Sequence, residues 1–249
     1  MQRRTLFAAV VTVVTAAVLF GASAASADAP VATYEVTVTN LTAGQSFTPP
    51  VVATHRASID LFEVGSPASF EVQEIAENGR LDPMLSLVQG SKHVNDSAFV
   101  ADGSAMPAPV VPASRSEALG LPSSQTFTLE SATGAKYLSW VSMLICTNDG
   151  FTGVDSLRLP NDVGESVTVG TQGYDTGSEI NTEDFADIVP PCPLLSGVMS
   201  IDMGTDVTDP ALAEGGVIHH HPGVAGGVDL TAIHDWTNPV ATLRVERVG

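Results

Sequence analysis

Residues 33–40 alternate in polarity: Tyr34, Val36 and Val38 are apolar, while Glu35, Thr37 and Thr39 are polar. That period of two marks a strand with one face buried, and the turn-forming Asn40-Leu-Thr-Ala-Gly44 ends it. Residues 126–129 alternate in the same way. Residues 137–146 are instead almost continuously apolar, through Trp140, Val141, Met143, Leu144 and Ile145, so a central strand covered on both faces is expected there. Residues 154–159, 166–169 and 239–248 complete a set of short strands at the spacing of a sandwich. Helix signals are few. Ser66 and Pro67 supply an N-cap and a first-turn proline and Gly79 a terminating glycine, with Ala68, Val72, Ile75 and Ala76 on one face between them. Asp82-Pro83 begins a second short helix, and the proline-rich residues 106–112 read as an extended surface loop. The pattern predicts an all-β antiparallel sandwich with one or two short helical insertions.

The first 27 residues stand outside this pattern. Met1-Gln-Arg-Arg4, an apolar run from Leu6 to Phe20 and then Ala25-Ser-Ala27 read as an export signal with a small-residue cleavage site. Residues 28–249 are then the mature chain, read as one domain. No later stretch approaches the roughly 18 apolar residues of a membrane span, so no membrane span is expected and the mature protein is expected to be secreted and soluble. Whole-chain charge is −18, from 28 acidic and 10 basic residues. Starting at Asp28 leaves 8 basic and 28 acidic residues, hence −20. Such a balance excludes nucleic-acid binding through phosphate neutralisation and a polybasic membrane anchor. With 44% hydrophobic and 15% charged residues there is material for a core. Cys146 and Cys192 are the only cysteines, and in an exported chain they predict a single disulfide, which on the chain-entropy account stabilises by about 4 kcal/mol.

Candidate chemistry is sparse. The sequence has no Gly-x-Ser-x-Gly elbow, His-Glu-x-x-His, phosphate loop or dinucleotide glycine fingerprint. Acidic loops are more informative. Asp149 closes the apolar run beside Gly150 and Gly153, and Asp175 and Glu179 lie in Tyr174-Asp-Thr-Gly-Ser-Glu179 just after a strand. If both loops leave the same end of a sandwich, three carboxylates converge, a self-repelling set that a hard divalent cation with oxygen ligands would neutralise. On the residues alone, solvated acidic loops are the plainer reading, and the stretch 202–209 competes as an acidic site. His219-His-His221 would place His219 and His221 on one face of a strand, half of a zinc-type site. An exposed loop is the plainer reading there too.

Several ordered blocks resemble the spondin N-terminal domain in its bacterial secreted form. They are Tyr34-Glu-Val-Thr-Val-Thr-Asn-Leu-Thr-Ala-Gly-Gln45, Phe47-Thr-Pro-Pro50, Val52-Ala-Thr-His55, Ile75-Ala-Glu-Asn-Gly79, Asn148-Asp-Gly-Phe-Thr-Gly-Val-Asp155, Tyr174-Asp-Thr-Gly-Ser-Glu179 and Asp235-Trp-Thr-Asn-Pro-Val-Ala241. The resemblance implies a sandwich similar to the calcium- and lipid-binding sandwich of synaptotagmin-like proteins, found in adhesion and matrix proteins such as F-spondin and mindin. It also implies bound calcium, with Asp149, Asp175 and Glu179 as ligands. Gly150 stands where the family often has Trp, and Glu179 where it has Asp. The resulting expectation is an exported, non-enzymatic calcium-binding domain that meets an extracellular protein or glycan. The alternative is a secreted metal-dependent hydrolase built on His219 and His221.

Overall fold

The alternating and apolar runs of the sequence become, in chain order, strands β1 (Ala32–Asn40) and β2 (Val51–His55), helices α1 (Phe70–Asn78) and α2 (Asp82–Gly90), strand β3 (Val94–Ser97), helix α3 (Ala113–Leu119), strands β4 (Ser124–Ser131), β5 (Tyr137–Met143), β6 (Gly150–Arg158) and β7 (Ser166–Asp175), helix α4 (Cys192–Ser196), and strands β8 (His219–His220) and β9 (Ala241–Arg247). This is a computed structural model that describes residues 31–97 and 108–249. The expected export signal and the first two residues of the proline-rich loop, Met106 and Pro107, lie outside the described residues.

Strands run in the order β3-β2-β5-β6-β7-β9-β1-β4, with β8 added to β7, and each described pairing is antiparallel. The expected all-β antiparallel architecture is present, and its joint is β7. The first half of β7 pairs β9 from Ser166 to Thr171, and its second half pairs β6 from Gln172 to Asp175. One strand therefore belongs to both halves of the sheet, which fold over each other. At the far edge Thr54 Oγ1 and Asn95 Nδ2 donate to Glu130 O, and Glu130 N donates to Asp96 Oδ2. Side chains thus bring β4 against β2 and β3, and the sandwich approaches a barrel.

Two apolar cores result. Between the halves lie Val36, Val38, Phe47, Leu129, Leu138, Trp140, Leu144, Leu243 and Val245. On the outer face of β2, β5 and β6, the helices α1 and α2 bring Ile75, Met84 and Val88 onto Val51, Val141, Met143 and Phe151. Strand β5 is therefore covered on both faces, with Leu138 and Trp140 in one core and Val141 and Met143 in the other. The apolar run continues beyond the strand because Leu144, Ile145 and Cys146 are buried in an irregular turn.

Helix α1 starts later than its sequence signals predict. Ser69 is the N-cap, accepting from Val72 N, and Gly79 ends the helix at φ 64°. The earlier Ser66-Pro67 pair cannot begin it because Gly65 N and Ser66 O bond Ile218. Val110 and Val111 are fully buried and Val110 bridges Phe47, so that loop is extended as expected but packs inward instead of lying on the surface. Strand β2 went unread because all five of its residues are buried, which removes the alternation.

Trp140 joins the two halves at the centre of the inner core, with no exposed surface. Trp140→Ala is expected to lose about 3–5 kcal/mol of unfolding free energy, read as a shift in urea midpoint at constant m-value.

Candidate metal centre

The expected acids meet where β5, β6 and β7 share an end. After β5 the chain turns through Leu144–Asp149 by local bonds, in which Thr147 Oγ1 donates to Leu144 O and accepts from Gly150 N. Gln45, fully buried, braces this turn. Its amide donates to Cys146 O and His234 O, and its Oε1 accepts from Cys146 N. Gly150 then enters β6 directly opposite Asp175 of β7, which sets Asp149 beside Asp175. Thr176 N donates to Asp149 O, and the chain curls around the Asp149 carboxylate. Asp149 Oδ2 accepts from Thr176 Oγ1 at 2.7 Å, Ser178 N at 2.8 Å and Glu179 N at 3.1 Å. Gly177 makes the curl possible at φ 68°, where an added Cβ would lie 2.7 Å from Val217 N.

Asp175 Oδ1 accepts from Gly177 N and its Oδ2 from Asn181 Nδ2. Glu179 Oε1 accepts from Asp209 N at 3.3 Å. Asn148, also buried, pins the following segment by accepting from Thr182 N. The expected disulfide is present between Cys146 and Cys192, so the segment carrying the three acids is tied at both ends to one buried point.

Electrostatics make the cluster unusual. Asp149 and Asp175 have no exposed surface and Glu179 almost none. Burial, then the charge of Asp175, pushes the Asp149 carboxyl up to about 6 against the pull of its hydrogen bonds. Burial, then the charge of Glu77, raises Glu179 to about 7, with Asp149 and Asp187 adding to the effect. Glu77, on α1, is a buried acid that carried no role in the sequence reading. Its Oε2 accepts from Thr208 Oγ1, and its Oε1 from Gln73 Nε2. Among the described residues the ion pairs are Arg80–Glu74, Arg244–Glu246 and His219–Asp175, so neither Lys nor Arg pairs with the cluster. Asp149 Oδ1 is buried with no hydrogen-bond partner.

An all-oxygen, anionic, uncompensated set with an orphan oxygen suits a hard divalent cation. Its closure is incomplete. Among the described residues, the acid, His and Cys trios whose ligand atoms lie within 4.8 Å of one another are Asp184, Asp202 and Asp229, and Cys146, Cys192 and His234. Asp149, Asp175 and Glu179 form no such trio; the Glu179 carboxyl accepts from the Asp209 amide. The second trio contains the disulfide. In the first, which takes Asp202 from the competing acidic stretch, Asp184 bonds Ala186 N, Asp229 bonds Phe185 N and Asp202 is exposed, a partly solvated surface cluster.

Strand β8 sets His219 opposite Asp175 and His220 opposite Tyr174, so His219 and His221 fall on the Asp175 face as the strand reading expects. His219 Nδ1 donates to Val217 O and lies 3.8 Å from Asp175 Oδ1. His221 is buried against Trp236, accepts from Gly223 N at Nδ1 and has no partner at Nε2. Burial, foremost, pushes it down to about 4, so it is neutral at physiological pH. No trio within coordination span includes either histidine among the described residues.

A family model described as Spondin_N matches residues 38–183, more than half of the chain. Asp149, Asp175 and Glu179 lie inside that span, whereas His219 and His221 lie beyond it. No curated protein matches the chain.

Raised carboxyl groups bind protons more tightly in the folded than in the unfolded chain. Without a cation, their contribution to stability is present at low pH and is lost as pH rises from about 4 through about 7. In chelator, the thermal midpoint of wild type is expected to carry this decline. Asp149→Asn removes the Asp149 share, about 3 kcal/mol at neutral pH, and flattens the profile measured between pH 4 and 8.

Proposed function

The chain belongs to the spondin N-terminal domain family, a family of extracellular proteins, and from that premise we propose that it is an exported, non-enzymatic calcium-binding domain for adhesion or recognition outside the cell. One observation carries the calcium reading: Asp149, Asp175 and Glu179 are buried, and among the described residues no Lys or Arg pairs with them and one Asp149 oxygen has no partner. Burying like charges without a counterion is costly. Asp149, Asp175 and Glu179 would hold calcium, which would supply that counterion, a hard ion of six to eight oxygen ligands. Glu179 would be the third carboxylate, its present bond from the Asp209 amide being a weak one at 3.3 Å.

The residues around the site act as a frame. Thr176, Ser178 and the Glu179 amide hold one Asp149 oxygen and leave the other free to face a cation. Gln45 and the disulfide keep the two ends of the acid-bearing segment in register. The partner in this reading is an extracellular protein or glycan.

A second reading has one observation in its favour. The orphan Nε2 of buried His221, with His219 near Asp175, would give a secreted metal-dependent hydrolase two nitrogen ligands if His221 exchanged its Nδ1 bond from Gly223 N for the other tautomer. It requires zinc or a similar metal in natively purified protein, and elemental analysis decides between the two.

Calcium at about 100 times its dissociation constant stabilises the folded state by about 2.7 kcal/mol, which in a domain of this size raises the thermal midpoint by about 5–10 °C. The rise is expected for wild type against chelator and is expected to be largely lost in Asp175→Asn. Equal midpoints in all four samples would sink the calcium reading.

A further inference from the structure

A cavity of about 230 Å³ opens at the end of the sandwich opposite the carboxylates. Topology places it there: β4 ends at Ser131, β5 begins at Tyr137, β9 ends at Arg247 and β1 begins at Ala32, while Asp149 and Asp175 stand at the other ends of β6 and β7. The turn joining β4 to β5 lines it, held closed by Ser131 Oγ donating to Ala135 O. Leu159, Pro160 and Asn161 also line it, and Tyr34 donates to Pro160 O at 3.0 Å.

Its charge runs against that of the molecule. Lys136 and Arg247 both line the cavity. The Arg56 guanidinium lies over Gly134 of the same turn, 3.0 Å from where a Cβ would stand. Three of the eight Lys and Arg residues that follow the signal thus gather at one rim. Among the described residues, none of the three pairs with an Asp or Glu, in a chain with 28 acids. Arg247 is held by the main-chain oxygens of Asn161 and Gly249, and the Lys136 ammonium makes no hydrogen bond among the described residues. Acids flank this rim along the chain, Glu130 beside Ser131, Asp162 beside Asn161 and Glu246 beside Arg247, with Glu246 paired to Arg244; Glu165 lies close by, and its Oε2 accepts from Asn161 N and Asp162 N. The main chain, and no cation, satisfies it.

We propose that this cavity binds a small oxyanion ester, a phosphate or sulfate monoester about the size of one sugar unit. Lys136 and Arg247 supply charge-assisted hydrogen bonds to the oxyanion, and the mixed polar and apolar wall of Tyr34, Ala135 and Leu159 receives the ring. Size follows from volume, since the cavity falls below the roughly 300–1,000 Å³ of drug-sized sites. Charge sets the same limit. Within a Debye length of about 10 Å the local cations dominate, but a long polyanion would meet the acidic surface beyond them and be repelled.

The test titrates glucose 6-phosphate, glucose 6-sulfate and glucose into the full chain in chelator, by calorimetry or chemical shift, for wild type, Lys136→Ala and Arg247→Met. Chelator removes any bridging of the anion through calcium. Saturable binding of at least one ester and not of glucose is expected, weakened about tenfold in each variant and weakened by added salt. Saturation by one ester alone identifies its source chemistry. No saturation by either ester, equal binding of glucose, or unchanged affinity in Lys136→Ala at an unchanged thermal midpoint overturns the proposal.

Discussion

Strand β7 carries two ladders at once, and the candidate site inherits its geometry from that double pairing. Pairing with β9 fixes the first half of β7, and pairing with β6 fixes the second, so Asp175 cannot slide along β6 without breaking the seam between the two halves. A slip of one residue would also turn every side chain of the strand to the other face. Asp149 therefore stays beside Asp175 whatever the charges prefer. Burial, then the Asp175 charge, pushes the Asp149 carboxyl up to about 6, and burial, then the Glu77 charge, pushes Glu179 up to about 7; a cation would offset the same cost.

What the sequence made legible depended on whether a residue's neighbours along the chain also decide its environment. Strand β1 has one buried face, so its alternation announced it, and β5 has two, so its nearly continuous apolar run did. Strand β2 is also buried throughout, but five residues are too few to separate a strand from any other apolar run. Strand β8 is held only by its bonds to β7 and has no pattern of its own. Asp149, Asp175 and Glu179 could be singled out because each stands at or just beyond the end of a strand, close to a glycine. Glu77 could not, since it sits in the last turn of a helix and reaches the site only through tertiary packing. Gln45 was hidden for the same reason: its amide bonds Cys146 and His234, 101 and 189 residues away. The start of α1 was misplaced because Ser66 bonds a segment more than 150 residues later, and no local capping rule contains that competition.

Net charge was the least specific of the sequence features, and the fold divides it. Buried acids collect where β5, β6 and β7 meet, whereas Lys136, Arg247 and Arg56 collect at the opposite end, on chain segments far apart in sequence. Antiparallel strands put alternate connections at opposite ends, so even a few charges in the right turns polarise a sandwich along its axis. The eight basic residues of positions 28–249 are too few to neutralise 28 acids, yet three of them meet at one end. Screening over about 10 Å keeps the two ends electrostatically independent.

The buried acids also bear on why such a cluster persists in the fold. Apolar or amide side chains of similar volume at these positions would fill the same space without the cost of burying charge. A sandwich under selection for stability alone gains nothing from carboxylates whose own neighbours raise their proton affinity. Local rules are broken where function requires it, and here the breach is confined to one turn that a brace, a disulfide and a shared strand hold in place. The surrounding structure supplies the rigidity that the acids remove.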